Sequence, residues 1–144
     1  MERVMESMIV FRVGDEHIGI DILHVREVVE WQDPVKVPKV PEFILGLVNI
    51  RGTILPVVSL RKRLGLGGVE SGELLLIAEA KGRVAGLKVD ELFGTKKVDT
   101  SRLSDRRELR STKKETDFFM GIYEDDKKPI HILDLEKTLS KEVT

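Results

Sequence analysis

Cysteine is absent from the chain, which excludes a disulfide framework and a thiolate metal site. Aromatic residues are scarce at 5%, with one Trp and one Tyr, too few for a platform that stacks bases. Neither charge dominates: 24 Lys and Arg stand against 25 Asp and Glu, a formal net charge of −1. Such a balance gives no chain-wide attraction to nucleic acid or to an anionic membrane. No stretch approaches the ~18–20 consecutive apolar residues that cross a bilayer. The first residues, Met1 to Ser7, mix both charges and lack the apolar core of a signal peptide. These absences lead us to expect a soluble, cytoplasmic protein.

What is present suits a core with a well-solvated surface: 41% hydrophobic and 34% charged residues in 144 positions, one ordinary domain or two very small ones. Met8 to Val13 and His17 to Ile20 read as strands around a turn at Gly14 to Glu16, and Asp21 can cap a helical turn after them. Arg26 to Trp31 is rich in β-branched residues, so a third strand is expected. Pro34, Pro38 and Pro41 then require an extended loop. The most apolar stretch, Gly46 to Leu60, reads as a hairpin whose tight turn holds Arg51 and Gly52, with Ser59 capping a short helix from Leu60 to Leu64. Gly65 to Gly72 is the one flexible stretch. Beyond it, Leu74 to Ala78 and Val84 to Val89 read as strands, with another suggested by Leu92, Phe93 and Val98. Lys96 to Asp117 is expected to be a charged surface loop. Phe118 to Tyr123 and Pro129 to Leu133 form a last hairpin, and Asp134 opens a closing helical turn to Leu139.

The two halves repeat. At an offset of 75 residues, Gly46 meets Gly121, Leu55 meets Ile130, Val57 meets Ile132, Leu60 meets Leu135 and Leu64 meets Leu139. Gly19-Ile20 also matches Gly86-Leu87, and Arg26 to Val28 matches Asp90 to Leu92, in shifted registers. Two copies of a five-stranded β unit follow, each closed by a short helix. Short strands with Gly and Pro turns favour small barrels over an open sheet. The expected division is an N-terminal tail, 1–7; a first barrel, 8–64; a connector, 65–72; a second barrel, 73–139; and a C-terminal tail, 140–144.

Catalytic signatures are sparse. His17, His24 and His131 lie in a strand, a helical turn and a strand, and none has the i,i+4 helical spacing of a metal pair. The Gly65 to Gly68 cluster lacks the Lys-Ser or Lys-Thr of a phosphate cradle, and no serine sits in a nucleophile elbow. We therefore expect no enzyme, no cofactor and no metal. The basic residues between Arg102 and Lys114 are interleaved with acids and hold no aromatic residue, which favours a solvated loop over an RNA contact. Composition alone makes Arg51 an ordinary turn residue and Glu27 the outward side of a strand. Yet the position matching Arg51 is Asp126, so the fold does not require a cation there, and partner contact becomes the better reading. Val25, Val28, Val48, Ile50 and Ile54 cluster around the two charges, as at interfaces where charge sets register.

Gly14 to Val28, and Val37-Pro38 with Pro41 to Leu60, resemble the N-terminal and central motifs of the CheW family of chemotaxis coupling proteins; Val84 to Val89 and Gly121 to Leu135 match more loosely. The resemblance implies a mainly β fold of two five-stranded SH3-like barrels with short helices, packed as one domain. It also implies a non-catalytic adaptor, a protein–protein interaction scaffold of two-component chemotaxis signal transduction. Its implied partners are the cytoplasmic tip of a methyl-accepting chemoreceptor and the regulatory domain of a CheA-type histidine kinase. It implies a cytoplasmic monomer recruited to membrane-attached receptor arrays, with no nucleic acid and no direct membrane insertion. By motif match, Glu27 and Arg51 take positions used in receptor and kinase coupling, with Val25, Gly46 and Val48 beside them and Val98 near the groove between barrels. The charged stretch Lys96 to Asp117 departs from the family pattern. The alternative from another class is a small β-barrel nucleic-acid binder, since small barrels often bind RNA or DNA.

Overall fold

Two-residue turns set the first strand pairings. Gly14-Asp15, Arg51-Gly52 and Lys81-Gly82 join antiparallel neighbours, with Val13 opposite Glu16, Ile50 opposite Thr53 and Ala80 opposite Arg83. Arg51 and Gly52 have φ of 50° and 88°, and Lys81 and Gly82 have 51° and 80°. Two successive positive φ values give the hairpin turn whose twist matches that of the strands.

The computed structural model describes residues 5–105 and 118–140. Among these the strands are β1 (Ser7–Val13), β2 (Glu16–Asp21), β3 (Val25–Glu30), β4 (Ile44–Ile50), β5 (Thr53–Ser59), β6 (Leu74–Ala80), β7 (Arg83–Val89), β8 (Glu91–Lys97), β9 (Leu103–Asp105), β10 (Phe119–Tyr123) and β11 (Ile130–Leu133). Two short helices, α1 (Leu60–Arg63) and α2 (Leu135–Thr138), follow β5 and β11. Ser59 and Asp134 cap them by accepting from the Lys62 and Lys137 amides, and Asp21 caps the turn Ile22–His24 by accepting from Leu23. The fold is mainly β, as expected.

The division of the chain at the glycine-rich connector needs correction. One sheet has the order β8-β1-β2-β11-β10-β9 and the other β3-β6-β7-β5-β4. Segments 8–64 and 73–139 are therefore not separate barrels, because each lends a hairpin to the sheet of the other. The cause is a pair of parallel ladders, β2 with β11 and β5 with β7. Parallel neighbours cannot be joined by a tight turn, so β5 pairs with a strand beyond the connector. The six-stranded sheet exceeds the expected five because β9 pairs with β10, where the other sheet has only an isolated bridge between Val35 and Leu47.

Repeat offsets are carried into the pairing. A bulge between Ile44 and Gly46 recurs between Phe119 and Gly121, which is the offset of 75. The β1–β2 and β6–β7 hairpins match at 67, as between Gly19 and Gly86, each of which lies on the parallel ladder. Strands β3 and β8 follow the same 67: Val25 faces Ala78 while Leu92 faces Phe11. The expected match of Arg26 to Val28 with Asp90 to Leu92 is thus out by three residues, and the counterpart of Glu27 is Gly94. The charged loop expected from Lys96 also begins too early. Lys96 and Lys97 end β8, Asp99 caps a turn at Thr100–Arg102, and β9 follows. Strand β8 alternates exposed and half-buried positions, with Glu91 and Lys97 on exposed ones and Lys96 on a half-buried one. Residues 106–117 of that expected loop lie outside the described residues.

Because the side chains of a strand alternate between faces, each strand feeds two cores. Ile9, Phe11, Ile18 and Ile20 from one sheet meet Val58, Leu76, Leu87 and Val89 from the other in a shared core. Val48, Ile50, Leu55, Val57, Leu75 and Ile77 fill the inside of the five-stranded sheet. Met8, Val10, Tyr123, Ile130 and Ile132 fill the inside of the six-stranded one. Burial on both faces explains the near-continuous apolar runs.

Polar groups tie the connecting segments. Asp90 accepts from the Gly14 amide at 2.7 Å, Arg61 Nη2 at 2.9 Å and Ser71 Oγ at 3.1 Å. The stretch read as flexible is anchored by these bonds and by Arg61 donating to the Gly67 carbonyl. Arg63 is buried on α1 and donates to the carbonyls of Thr138, Lys137 and Ser140 at the end of α2, at 3.0, 3.2 and 3.2 Å. Its guanidinium lies 4.2 Å from the Phe43 ring centroid and 4.6 Å from that of Phe118, two rings at the repeat offset of 75. A cation at a helix C-terminus and between two aromatic faces is favourable on both counts.

Two outcomes are expected in urea denaturation. Leu76→Ala costs about 2–5 kcal/mol as a buried large-to-small change, and unfolding stays a single transition because the shared core joins both sheets; two separated transitions would contradict this. Arg63→Ala costs about 3 kcal/mol, since several bonds to a charged group and two ring contacts are lost. Arg63→Lys recovers less than half, because an ammonium lacks the planar fork.

Candidate docking site

In the five-stranded sheet, β3 and β4 are the two edges. The turn between β4 and β5 carries Arg51 across to β3, where Arg51 Nη1 donates to both carboxylate oxygens of Glu27, at 2.6 and 2.5 Å. The ion pair thereby bridges the edges at one mouth of the barrel. The bulge between Val25 and Glu27 bends β3 where the pair forms, as bulges re-aim side chains. Arg51 stays 72% exposed and Glu27 32%, so the pair is open to solvent and to a partner.

The hydrogen bond from Arg51 holds the Glu27 carboxyl below its ordinary range, and Glu27 raises Arg51 in turn. Whatever the pair contributes is present above the ordinary carboxylate value and is lost as pH falls through the lowered one. At an exposed site that contribution is small. The pair's value is geometric: it fixes where a guanidinium stands.

The other expected site residues divide. Val48 is buried beneath the pair in the barrel core, with Ile50 beside it in the same core. Val25 lies two positions before Glu27 and packs on the shared core. Gly46 has φ of 147°, and a Cβ there would collide with the Val35 carbonyl, so the close approach of the loop bridge requires glycine. Val98 is elsewhere. Its amide donates to Glu6, and its side chain packs with Met8, Val10 and Tyr123 in the core of the six-stranded sheet. There it matches Trp31, whose amide donates to Glu73. The sequence placed Val98 with the others because nothing local in it shows which sheet a strand joins.

Of the apolar residues expected around the two charges, Ile54 is 59% exposed, on the strand that leaves the turn. Two further features were missed. Asn49 Oδ1 accepts from the Gly52 amide at 2.7 Å. At the mouth of the other barrel, Lys96 pairs with Asp125 at 2.9 Å and Arg102 with Asp126 at 3.2 Å. Lys96 takes the place of Val29, Asp125 that of Ile50, and Gly94 that of Glu27. An open notch of about 300 Å³ lies there, lined by His17, Phe93, Gly94 and Ile130. Carrying the offset of 67 through β8 would have exposed this contrast from sequence.

No group of three or more His, Cys, Asp or Glu among the described residues is arranged to hold a metal ion. His24 Nδ1 lies 2.9 Å from the Glu79 carbonyl, His131 Nε2 lies 3.4 Å from Glu16, and His17 packs on Phe93. No helix among the described residues is long and apolar enough to cross a membrane.

Removing the guanidinium should release Glu27. In Arg51→Ala, a carboxyl-carbon NMR titration should find Glu27 moved up toward its ordinary value; no movement would mean that the pair does not persist in solution.

Comparison with known proteins places this geometry. A family model described as a CheW-like domain matches residues 7–143. A probable chemotaxis protein CheW of Rhizobium etli is 31% identical, over 94% of this chain and 88% of the relative. The chemotaxis protein CheW of Bacillus subtilis is 32% identical, over 95% and 88%. Among solved structures, the scaffolding protein TtCheW of Thermoanaerobacter tengcongensis superposes with a TM-score of 0.85 at 31% identity, covering 98% of each chain.

Proposed function

Because the chain belongs to the CheW-like domain family, with chemotaxis proteins CheW and a scaffolding protein among its relatives, we propose that it is a non-catalytic adaptor that couples the cytoplasmic tip of a chemoreceptor to the regulatory domain of a CheA-type histidine kinase. The observation that carries this reading is the Glu27–Arg51 pair, which presents an exposed guanidinium at a barrel mouth beside the exposed Ile54. A charge with an apolar neighbour is the composition of a docking hot spot, in which Arg is enriched. Glu27 limits the directions that Arg51 samples, so less freedom is lost on binding. Val48 supports the strand under the turn, while Val25 joins the mouth to the shared core. Gly46 acts through the backbone, and Val98 serves the opposite mouth. Two contacts on one rigid body raise the effective concentration of one partner near the other, and signalling follows from assembly at the receptor array. The reading as a nucleic-acid binder has no supporting feature beyond the fold.

The test is capture of receptor tip and kinase regulatory domain by wild type, Arg51→Ala and Glu27→Ala. Arg51→Ala should weaken at least one partner by about tenfold or more, a hot-spot loss, and Glu27→Ala by less. Unchanged capture by both variants refutes the role of the pair. A folded wild-type chain that captures neither partner refutes the adaptor.

A further inference from the structure

Arg51 occupies a left-handed backbone position, φ 50°, which side chains other than glycine, asparagine and aspartate seldom take. Asparagine would be the favoured residue at the first position of such a turn. Here asparagine stands two residues earlier. Asn49 is exposed on β4, opposite Ile54, and its Oδ1 accepts from the Gly52 amide. That amide follows the Arg51 residue directly, so its orientation and the backbone of Arg51 move together.

The turn at Lys81-Gly82 provides an internal comparison. Its φ values are nearly the same, 51° and 80°. The residue three before its glycine is Glu79, whose carboxylate is occupied by Arg26. The turn therefore forms without a side chain bonded to its glycine amide, and the bond from Asn49 is not needed to make a turn of this kind. The cations differ accordingly. Lys81 reaches Glu136 at only 3.9 Å, whereas Arg51 meets both oxygens of Glu27 within 2.6 Å.

We propose that Asn49 is a positioning residue for Arg51: by holding the Gly52 amide, it fixes the peptide from which the guanidinium reaches Glu27 and a docking partner. Its effect on partner binding rests on the adaptor reading above; its effect on the ion pair does not.

The test therefore reads the free chain first. The Glu27 carboxyl is titrated by NMR in wild type, in Asn49→Ala and in Val57→Ala, a core change in the same hairpin that lowers stability without touching the turn. Asn49→Ala should move Glu27 up toward its ordinary value, and Val57→Ala should leave it unmoved. In wild type, the Gly52 amide should exchange with solvent about tenfold more slowly than Gly82, as one added hydrogen bond implies. Asn49→Ala should also weaken partner capture, with no added loss in an Arg51→Ala background. An unmoved Glu27 in Asn49→Ala, or an equal shift in Val57→Ala, overturns the proposal. If Asn49→Ala does not fold, equal exchange at Gly52 and Gly82 overturns it. A wild-type chain that captures no partner refutes the adaptor reading alone, since the titration still decides the role of Asn49.

Discussion

Two parallel ladders, β2 with β11 and β5 with β7, are the constraint on which the rest of the molecule depends. Neither can close locally, so each sheet takes a hairpin from the far side of the connector. The exchange leaves no plane along which the chain could separate into its sequence halves. It also brings β1, β2, β6 and β7 back to back across the shared core. Arg63 completes the join by reaching from the first short helix to the carbonyls of the second. The result is a body whose two barrel mouths stand at a fixed separation, as a scaffold requires.

The two barrels are close copies inside and unlike at their mouths. Leu75, Ile77, Val48, Leu55 and Val57 in one core answer Met8, Val10, Tyr123, Ile130 and Ile132 in the other. At the rims the correspondence ends. One mouth sets an ion pair over an apolar layer of Val29 and Ile50. The other puts Lys96 and Asp125 in that layer and leaves a notch at Gly94. Core positions are alike because packing restricts them. Rim positions are free of that restriction, and there the copies differ.

Much of this was readable from the residues. Hairpins, caps and the offset of 75 follow from local chemistry: turn residues, a side-chain acceptor before a helix, and alternation of apolar side chains. Sheet membership was not readable, because either assignment of the β1–β2 and β6–β7 hairpins buries the same alternating residues. The repeat match of β8 was three residues out because its bulge between Leu92 and Gly94 interrupts the pattern. Arg63 reads in sequence as one more solvated cation among Arg61, Lys62 and Arg63, and only the fold shows it between two phenylalanine rings. Glu27 and Arg51 were both singled out, but their contact joins two sheet edges 24 residues apart, which no local pattern encodes.

The central claim is that Arg51 serves a partner while Glu27 holds it in place. Exchanging the charges, Glu27→Arg with Arg51→Glu, keeps an ion pair across the barrel mouth but moves the guanidinium off the turn. The decisive measurement is calorimetric titration of this double variant with the kinase regulatory domain and the receptor tip. The account predicts a folded chain of near wild-type stability whose affinity for at least one partner stays about tenfold or more below wild type. Wild-type affinity for both would contradict it and would leave the pair as a clasp of the barrel alone.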